Sequence, residues 1–527
     1  MGTSSLLGAA VGRPVTLSSA PSKSSANSRE LATLVALASG VALVSLDASV
    51  LNVAMPQVRS DLDASSAQMQ AILVSYLIAA AALTLPLAAL GNRIGRPRVF
   101  LGGCAMFVLG STLCAIAPTT IVLIVARAVQ GVGAAGIGAL ALAILTANTS
   151  REKMPALIGI WTSVAVGAGA AGPLVGGLLV QLAGWRSVFI INIPIAIAVF
   201  LVARRLLVAE NPDRNGPGVD WFGAALLALG LGCLAAGISG TETYPFASFM
   251  VGGLLSTAAL AFLALVIQQR RASHPLLAWR RLAARPVPAT LVMFMLLGLT
   301  LAGAMYQMSL FSQDVLGASP AIAGVLALGA SVALAVLSPF TGKLPRHMSP
   351  ALVASVGLFI SALSMAGLAT LGPEASLLTV AVGLTVLGVG LALAMPTVQT
   401  IALAAAGPKG ASEVSAGLNL SSLVSGVLGI SLMATLATTM AQRTWLADGG
   451  STDFLIDVGA GDIDSVTAAG GAQAGIDAAA AFTSGVSLAL LAAAIGLAVA
   501  GVAALLFLPK QTFATTIASP TGDLDDA

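Results

Sequence analysis

The sequence predicts an all-α polytopic membrane protein with fourteen transmembrane helices. Three observations carry that expectation. Of 527 residues, 57% are hydrophobic and only 9% charged, with a mean hydropathy of +0.98, whereas a soluble domain needs about a quarter of its residues charged to cover its surface. The apolar residues gather in stretches near the roughly 20 residues that cross a bilayer core as a helix. Most of the charge lies in the turns between those stretches. Strict alternation over about ten residues, the mark of an outer-membrane barrel, is absent. With 57 Gly and 5% aromatics, the apolar mass is largely Ala, Leu and Val, and small residues let helices approach closely in lipid.

The fourteen spans are expected at roughly 31–55, 69–90, 98–117, 119–141, 154–180, 186–207, 219–240, 248–268, 286–310, 320–341, 350–371, 375–399, 411–440 and 478–508. Residues 1–30, rich in Ser, read as a disordered cytoplasmic tail, and 509–527 as a second one. With both termini inside, 20 of the 24 basic residues fall on the cytoplasmic side, which the positive-inside rule requires. The opposite turns carry Asp61, Asp63, Glu242, Asp314, Glu374 and the run from Asp448 to Asp477. The segment 441–477, polar, acidic and Gly-rich, reads as one long, mobile outer loop, with a lid or a partner-binding element as the alternative. A multi-pass protein of the cell membrane follows, monomeric and surrounded by lipid.

The net charge of +3 gives no case for nucleic acid. Cys104, Cys114 and Cys233 are odd in number and lie in apolar runs, so they read as small buried hydrophobes without a disulfide framework. No phosphate loop, HExxH or Cys/His metal spacing occurs, and neither enzyme activity nor a cofactor is expected.

Two short basic turns echo each other: LAALGNRIGRPR (Leu87–Arg98) and, eight spans later, TGKLPRHMSP (Thr341–Pro350). Their positions suggest six spans, two extra spans, then six more, as in transporters with duplicated halves. Further motifs follow in order. LDASVLNVAMP (Leu46–Pro56) lies in span one and LIVARAVQGVGAA (Leu123–Ala135) in span four; GAGAAGPLVGGLL (Gly167–Leu179) lies in span five. GWRSVFIINIPI (Gly184–Ile195), VDWFGAALL (Val219–Leu227) and QDVLGASPAIAG (Gln313–Gly324) stand at the starts of spans six, seven and ten. On these residues the chain resembles the major facilitator superfamily, and more closely its fourteen-span drug:proton antiporter branch, of multidrug efflux type.

The resemblance implies two six-helix bundles, 31–207 and 286–508, with two extra central helices at 219–268. It places Asp47 at the branch's acidic position in the first helix. It implies a gating turn at Asn92, Arg93, Gly95 and Arg96, and a tight contact between the halves at Gly172, Pro173, Gly176 and Gly177. Asn92 departs from the Asp usual in that turn, and Ala88 from the Gly; a charged latch there is lost or weakened.

The residues themselves point the same way. A carboxylate at bilayer depth costs about 2.5–3.5 kcal/mol on insertion scales, so the lone acid of span one, Asp47, invites a functional reading as the coupling proton carrier. The alternative is an acid at a helix end among the headgroups. Arg127, in span four, needs an interior partner or a wet cavity and cannot itself carry the proton because guanidinium stays charged. It is expected to tune a nearby carboxylate, with Gln130 one turn on sharing its network; the alternative is an arginine that only anchors packing. Glu413 and Asp314 are second-rank acids near span ends. Pro173 permits a kink, and the glycines around it give a smooth face.

The function implied is proton-coupled export of lipophilic or cationic small molecules by alternating access. A lipid or amphiphile transporter of the same fold is the alternative. Metabolite uptake is disfavoured by an interior poor in charge, and a channel by the lack of a filter or charged ring. The substrate-binding residues are not legible in the sequence.

Overall fold

The computed structural model describes residues 23–147, 154–207, 218–241, 244, 248–272, 286–341 and 348–508. Among these residues there is no strand. The first half runs α1 (Lys23–Leu62), α2 (Ser66–Ile94), α3 (Arg96–Ala115), α4 (Thr120–Ala147), α5 (Met154–Ala183), α6 (Ser187–Ile190) and α7 (Asn192–Leu206). Two helices follow, α8 (Trp221–Gly240) and α9 (Phe249–Arg271). The second half runs α10 (Val287–Leu310), α11 (Pro320–Thr341), α12 (Pro350–Leu368), α13 (Leu377–Ala447), the short α14 (Leu455–Ala460) and α15 (Ile463–Gly470), and α16 (Ala472–Phe507).

Thirteen stretches of the described residues are long and apolar enough to cross a membrane. α6 and α7 together make one of them, and α13 holds two, Leu377–Ala405 and Gly417–Ala447. α5, with its apolar part at Gly167–Ala183, occupies the place of the fourteenth. The chain is an integral membrane protein.

The 71 residues of α13 are all helical, including 400–410, where a turn between two spans was expected. At 1.5 Å per residue a straight rod would be about 107 Å long, far beyond a ~30 Å hydrocarbon core, so the helix bends back on itself. Packing shows the reversal. Gly357 of α12 meets Gly390 and Ala394, and Ser364 of α12 donates to the Gly383 carbonyl, an antiparallel register. Gly298 and Gly303 of α10 meet Ser425 and Met433, a parallel one.

α8 lies between the halves. Its Leu227 and Leu231 pack with Ala81 of α2 and with Leu420, Leu423 and Val424 of α13. The Ser239 hydroxyl donates to Gln70 of α2 at 2.6 Å. At the lower-numbered end of α2, Ser65 caps the helix with a reciprocal Gln68 bond, which satisfies two otherwise orphaned backbone donors.

Two expectations are corrected. The chain is already helical from Lys23, so 23–30 are not a disordered tail; residues 1–22 and 509–527 lie outside the described ones. The segment 441–477 is not a loop. It holds the end of α13, a short turn of helix at Thr452–Phe454, α14, α15 and the start of α16. Its Val458, Ala460 and Val466 are buried, and Trp445 sets its ring edge-on to Phe454. A few apolar side chains spaced among Gly and Asp suffice to dock these helices, a pattern masked by the segment's acidic composition.

Candidate functional site

Asp47 lies near the middle of α1 and is 4% exposed, buried among helices rather than at a helix end. Three side chains from two other helices converge on it. Arg127 Nη1 donates to Asp47 Oδ2 at 2.7 Å. Gln130 Nε2 and Asn192 Nδ2 donate to Oδ1 at 2.9 and 2.6 Å. Arg127 also donates to Gln130 Oε1 at 2.6 Å, and Gln130 reaches Ser111 at 2.9 Å. The guanidinium lies over the Tyr76 ring at 4.2 Å, where the ring face favours a cation. The arrangement thus joins α1, α2, α3, α4 and α7.

Local sequence explains why these groups meet. Arg127 and Gln130 are three apart, on one face of α4. A side chain on Gly110 would overlap the Gln130 backbone, and one on Gly131 the Tyr76 carbonyl. Glycine at these two positions lets α3 and α2 close on α4 at the level of the ion pair. A charge pair so deeply buried is stabilised by further hydrogen bonds; Gln130 and Asn192 supply those of the carboxylate, while Arg127 Nε has none among the described residues. Asn192 was not singled out from the sequence. Its signal was there: an amide in the apolar run FIINIPI.

Beside the pair, between the halves, lies a cavity of about 500 Å³. Its wall takes in Ser45, Ser49 and Asn52 of α1, Tyr76 of α2, Arg127, Pro173 of α5, Met305 and Ser309 of α10, Ser331 of α11, and Met395, Ser422 and Ser425 of α13. Arg127 is part of the wall; Asp47 is not.

The other predicted residues fall elsewhere. Asp314, in the π-helical turn Phe311–Val315 that continues α10, meets Arg59 of α1 in a bidentate pair at 2.9 and 3.1 Å. Arg59 also donates to the Ala460 carbonyl at 2.8 Å and faces Asp462 at 3.5 Å. Nearby, Ser309 and Gln313 donate to the Asn52 and Val53 carbonyls, and Ser66 contacts Thr438. The two halves are therefore joined at the end that carries Asp61 and Asp314. Glu413 is within α13, and its side chain lies outside the described residues.

At the opposite end, Gly95 takes a φ of +103°, which glycine adopts without the penalty other residues meet, and so closes α2 and opens α3. Asn92 accepts from Arg96 Nε at 3.1 Å, and Arg96 reaches the Ala143 carbonyl at 3.3 Å; Arg93 is exposed. The turn with which this one was paired, 342–347, lies outside the described residues. In α5 the four motif residues divide. Gly172 and Gly176 press on Ser49 and Val50 of α1, whereas Gly177 and Pro173 meet Pro320 and Gly324 of α11, across the join.

Residues 37–430 match the profile of the Major Facilitator Superfamily. The tetracenomycin C resistance and export protein of Streptomyces glaucescens is 31% identical, over 78% of this chain and 76% of that one. The cephamycin export protein CmcT of Amycolatopsis lactamdurans is 33% identical, over 75% and 82%. The multidrug resistance protein Stp of Mycobacterium tuberculosis is 29% identical, over 79% and 78%. Among solved structures, a bacterial homologue of the human lysosomal transporter Spinster, inward-facing and occupied, superposes with a TM-score of 0.66 at 18% identity. That match covers 93% of this chain and 98% of the other, and shows a common fold.

Proposed function

Because this chain belongs to the major facilitator superfamily, we propose that it exports lipophilic small molecules from the cell in exchange for protons, with Asp47 as the proton carrier. The relatives bear the names of antibiotic and multidrug exporters, and the cavity between the halves has the size of a small-molecule site. Both termini are cytoplasmic in this reading, from the placement of 20 of 24 basic residues. The end joined by Arg59 and Asp314 then faces outward, closed, and the cavity fills from inside the cell or from the inner leaflet.

The observation that carries the coupling is the buried Asp47–Arg127 pair at the cavity wall. In the ionised state Asp47 draws Arg127, Gln130 and Asn192 together and holds α1 on α4 and α7. A proton on Asp47 removes the attraction and leaves the guanidinium uncompensated, which shifts the balance between the two arrangements of the bundles. Arg127 stays charged throughout and returns the carboxyl to its ionised form once the cavity opens to the other side.

The test is transport in everted membrane vesicles under an imposed pH gradient. Asp47→Asn keeps an acceptor for Arg127, inserts normally and loses gradient-driven accumulation of substrate by at least about tenfold, while substrate still binds. Gradient-driven transport at the unsubstituted rate by this variant removes Asp47 from the proton path.

A further inference from the structure

We propose that the cavity takes uncharged lipophiles decorated with hydroxyl and carbonyl oxygens, and rejects permanent cations. The proposal rests on the export reading and names the cargo class of that same site.

Charge in the wall comes first. Among the described residues lining the cavity, the ionisable ones are Arg127 and Tyr76, with no carboxylate. Asp47, the nearest acid, is 4% exposed, and its two oxygens already accept from three side chains at 2.6–2.9 Å. Asp314 is held by both terminal nitrogens of Arg59 and does not line the cavity. A cation seated here meets a guanidinium whose counter-charge, Asp47, is already engaged, and no carboxylate among the described lining residues. It also has to shed its hydration shell, a cost that only a paired or coordinating site offsets. An uncharged cargo avoids both costs.

The polar groups define the rest. Six serines, at 45, 49, 309, 331, 422 and 425, enter the wall from α1, α10, α11 and α13, so they surround the space. Each hydroxyl both donates and accepts. Ser49 and Ser425 spend their protons on backbone carbonyls, which leaves their oxygens as acceptors for a cargo hydroxyl; Ser309 donates to the Asn52 carbonyl and already accepts from Gln313. Between the serines stand Leu73, Leu301, Met305, Leu334, Met395 and Ile430, an apolar surface in which flexible Met side chains adapt to flat or irregular shapes. Dispersed weak hydrogen bonds on an apolar wall suit oxygenated aromatic molecules of drug size.

The experiment uses the full chain in proteoliposomes with an imposed pH gradient and two probes. One is 1,8-dihydroxyanthraquinone, uncharged at pH 6; the other is tetraphenylphosphonium, a permanent lipophilic cation. The expected result is gradient-driven movement of the quinone that tetraphenylphosphonium neither shares nor inhibits. Ala302→Asp places a carboxylate in the wall and is expected to raise tetraphenylphosphonium transport at least tenfold, with Ala302→Asn, its uncharged isostere, showing no such gain. Transport of the cation by the unsubstituted protein, with the quinone inert, overturns the cargo class and leaves export standing. Failure of both probes to respond to the gradient in the unsubstituted protein, whatever the Ala302 variants do, overturns the export reading and this proposal with it.

Discussion

Arg59 grips both carboxylate oxygens of Asp314 across the join between the two halves, at 2.9 and 3.1 Å, with both side chains less than a tenth exposed. The Ala460 carbonyl and Asp462 bring the folded segment 441–477 onto the same guanidinium. One arginine thus ties α1, α10 and the end cap together. Any motion that opens this end has to break the tie.

Removing one partner strands the other. Asp314→Leu leaves a buried guanidinium with only the Ala460 carbonyl and the more distant Asp462, and removal of one member of a buried pair costs about 3–5 kcal/mol. The expected outcome is a clear fall in the melting temperature of the detergent-purified protein. Arg59→Met together with Asp314→Leu recovers most of that loss, because no charge is then left buried. A double variant as unstable as the single one shows that the two side chains are not coupled.

The join on the α5 side rests on one missing side chain. A Cβ at Gly177 would overlap the Pro320 carbonyl and Ala321 of α11, whereas at Gly167 of the same helix it meets nothing within 4 Å. Gly177→Val is therefore expected to hold the halves apart at this end and to lower transport at least about tenfold. Gly167→Ala leaves transport within about twofold, since a substitution away from packed features changes stability by no more than about 0.5 kcal/mol. Measuring both rates at matched protein levels decides the point.

Asn192 supplies one of the three side-chain donors to Asp47, at 2.6 Å. Asn192→Leu withdraws it and leaves a carboxylate oxygen short of a partner, at a cost of about 1–3 kcal/mol. Gradient-driven transport should slow several-fold with the KM for substrate little changed, since Asn192 is not part of the cavity wall. A rise in KM at constant kcat would instead place Asn192 in substrate binding.

The end cap carries a pH dependence. Partial burial, and then the charge of Asp462, push the Asp457 carboxyl above its ordinary range, while Arg59 pulls it back. For an acid whose folded-state value is raised, the charged form is the disfavoured one in the folded protein. The cap is then favoured below the ordinary carboxylate range and loses that contribution as pH rises through the folded value. Asp457→Asn is expected to raise the melting temperature slightly at pH 7 and to make no difference at pH 3.5. Limited proteolysis at pH 7 reads the same cap directly: residues 449–471 resist cleavage, as a docked helical segment does and a free loop does not.

Much of the architecture was legible in the sequence, because a bilayer imposes length and hydropathy on every span. The Arg-containing stretch of α4 and the lone acid of span one were legible too, since ionisable groups at depth stand out against apolar neighbours. That they touch was not. Asp47 and Arg127 are 80 residues apart, and Asn192 lies beyond both, so their meeting depends on how α3, α4 and α7 pack. The same holds for Asp314, which read as an acid near a span end and is one half of a buried ion pair between the halves. The segment 441–477 misled because composition averages over the few apolar residues that dock it.

By itself, then, the sequence determined a helical membrane protein, the positions of its spans and the few polar residues its interior retains, because hydration cost is a property of each residue and can be read in order along the chain. Only the tertiary structure decided which of those residues pair, which of them faces the cavity and at which end of the molecule the halves are joined. Hydrogen bonds and ion pairs depend on distances of about 3 Å between groups far apart in the chain, and such distances are set by helix packing rather than by spacing in the sequence.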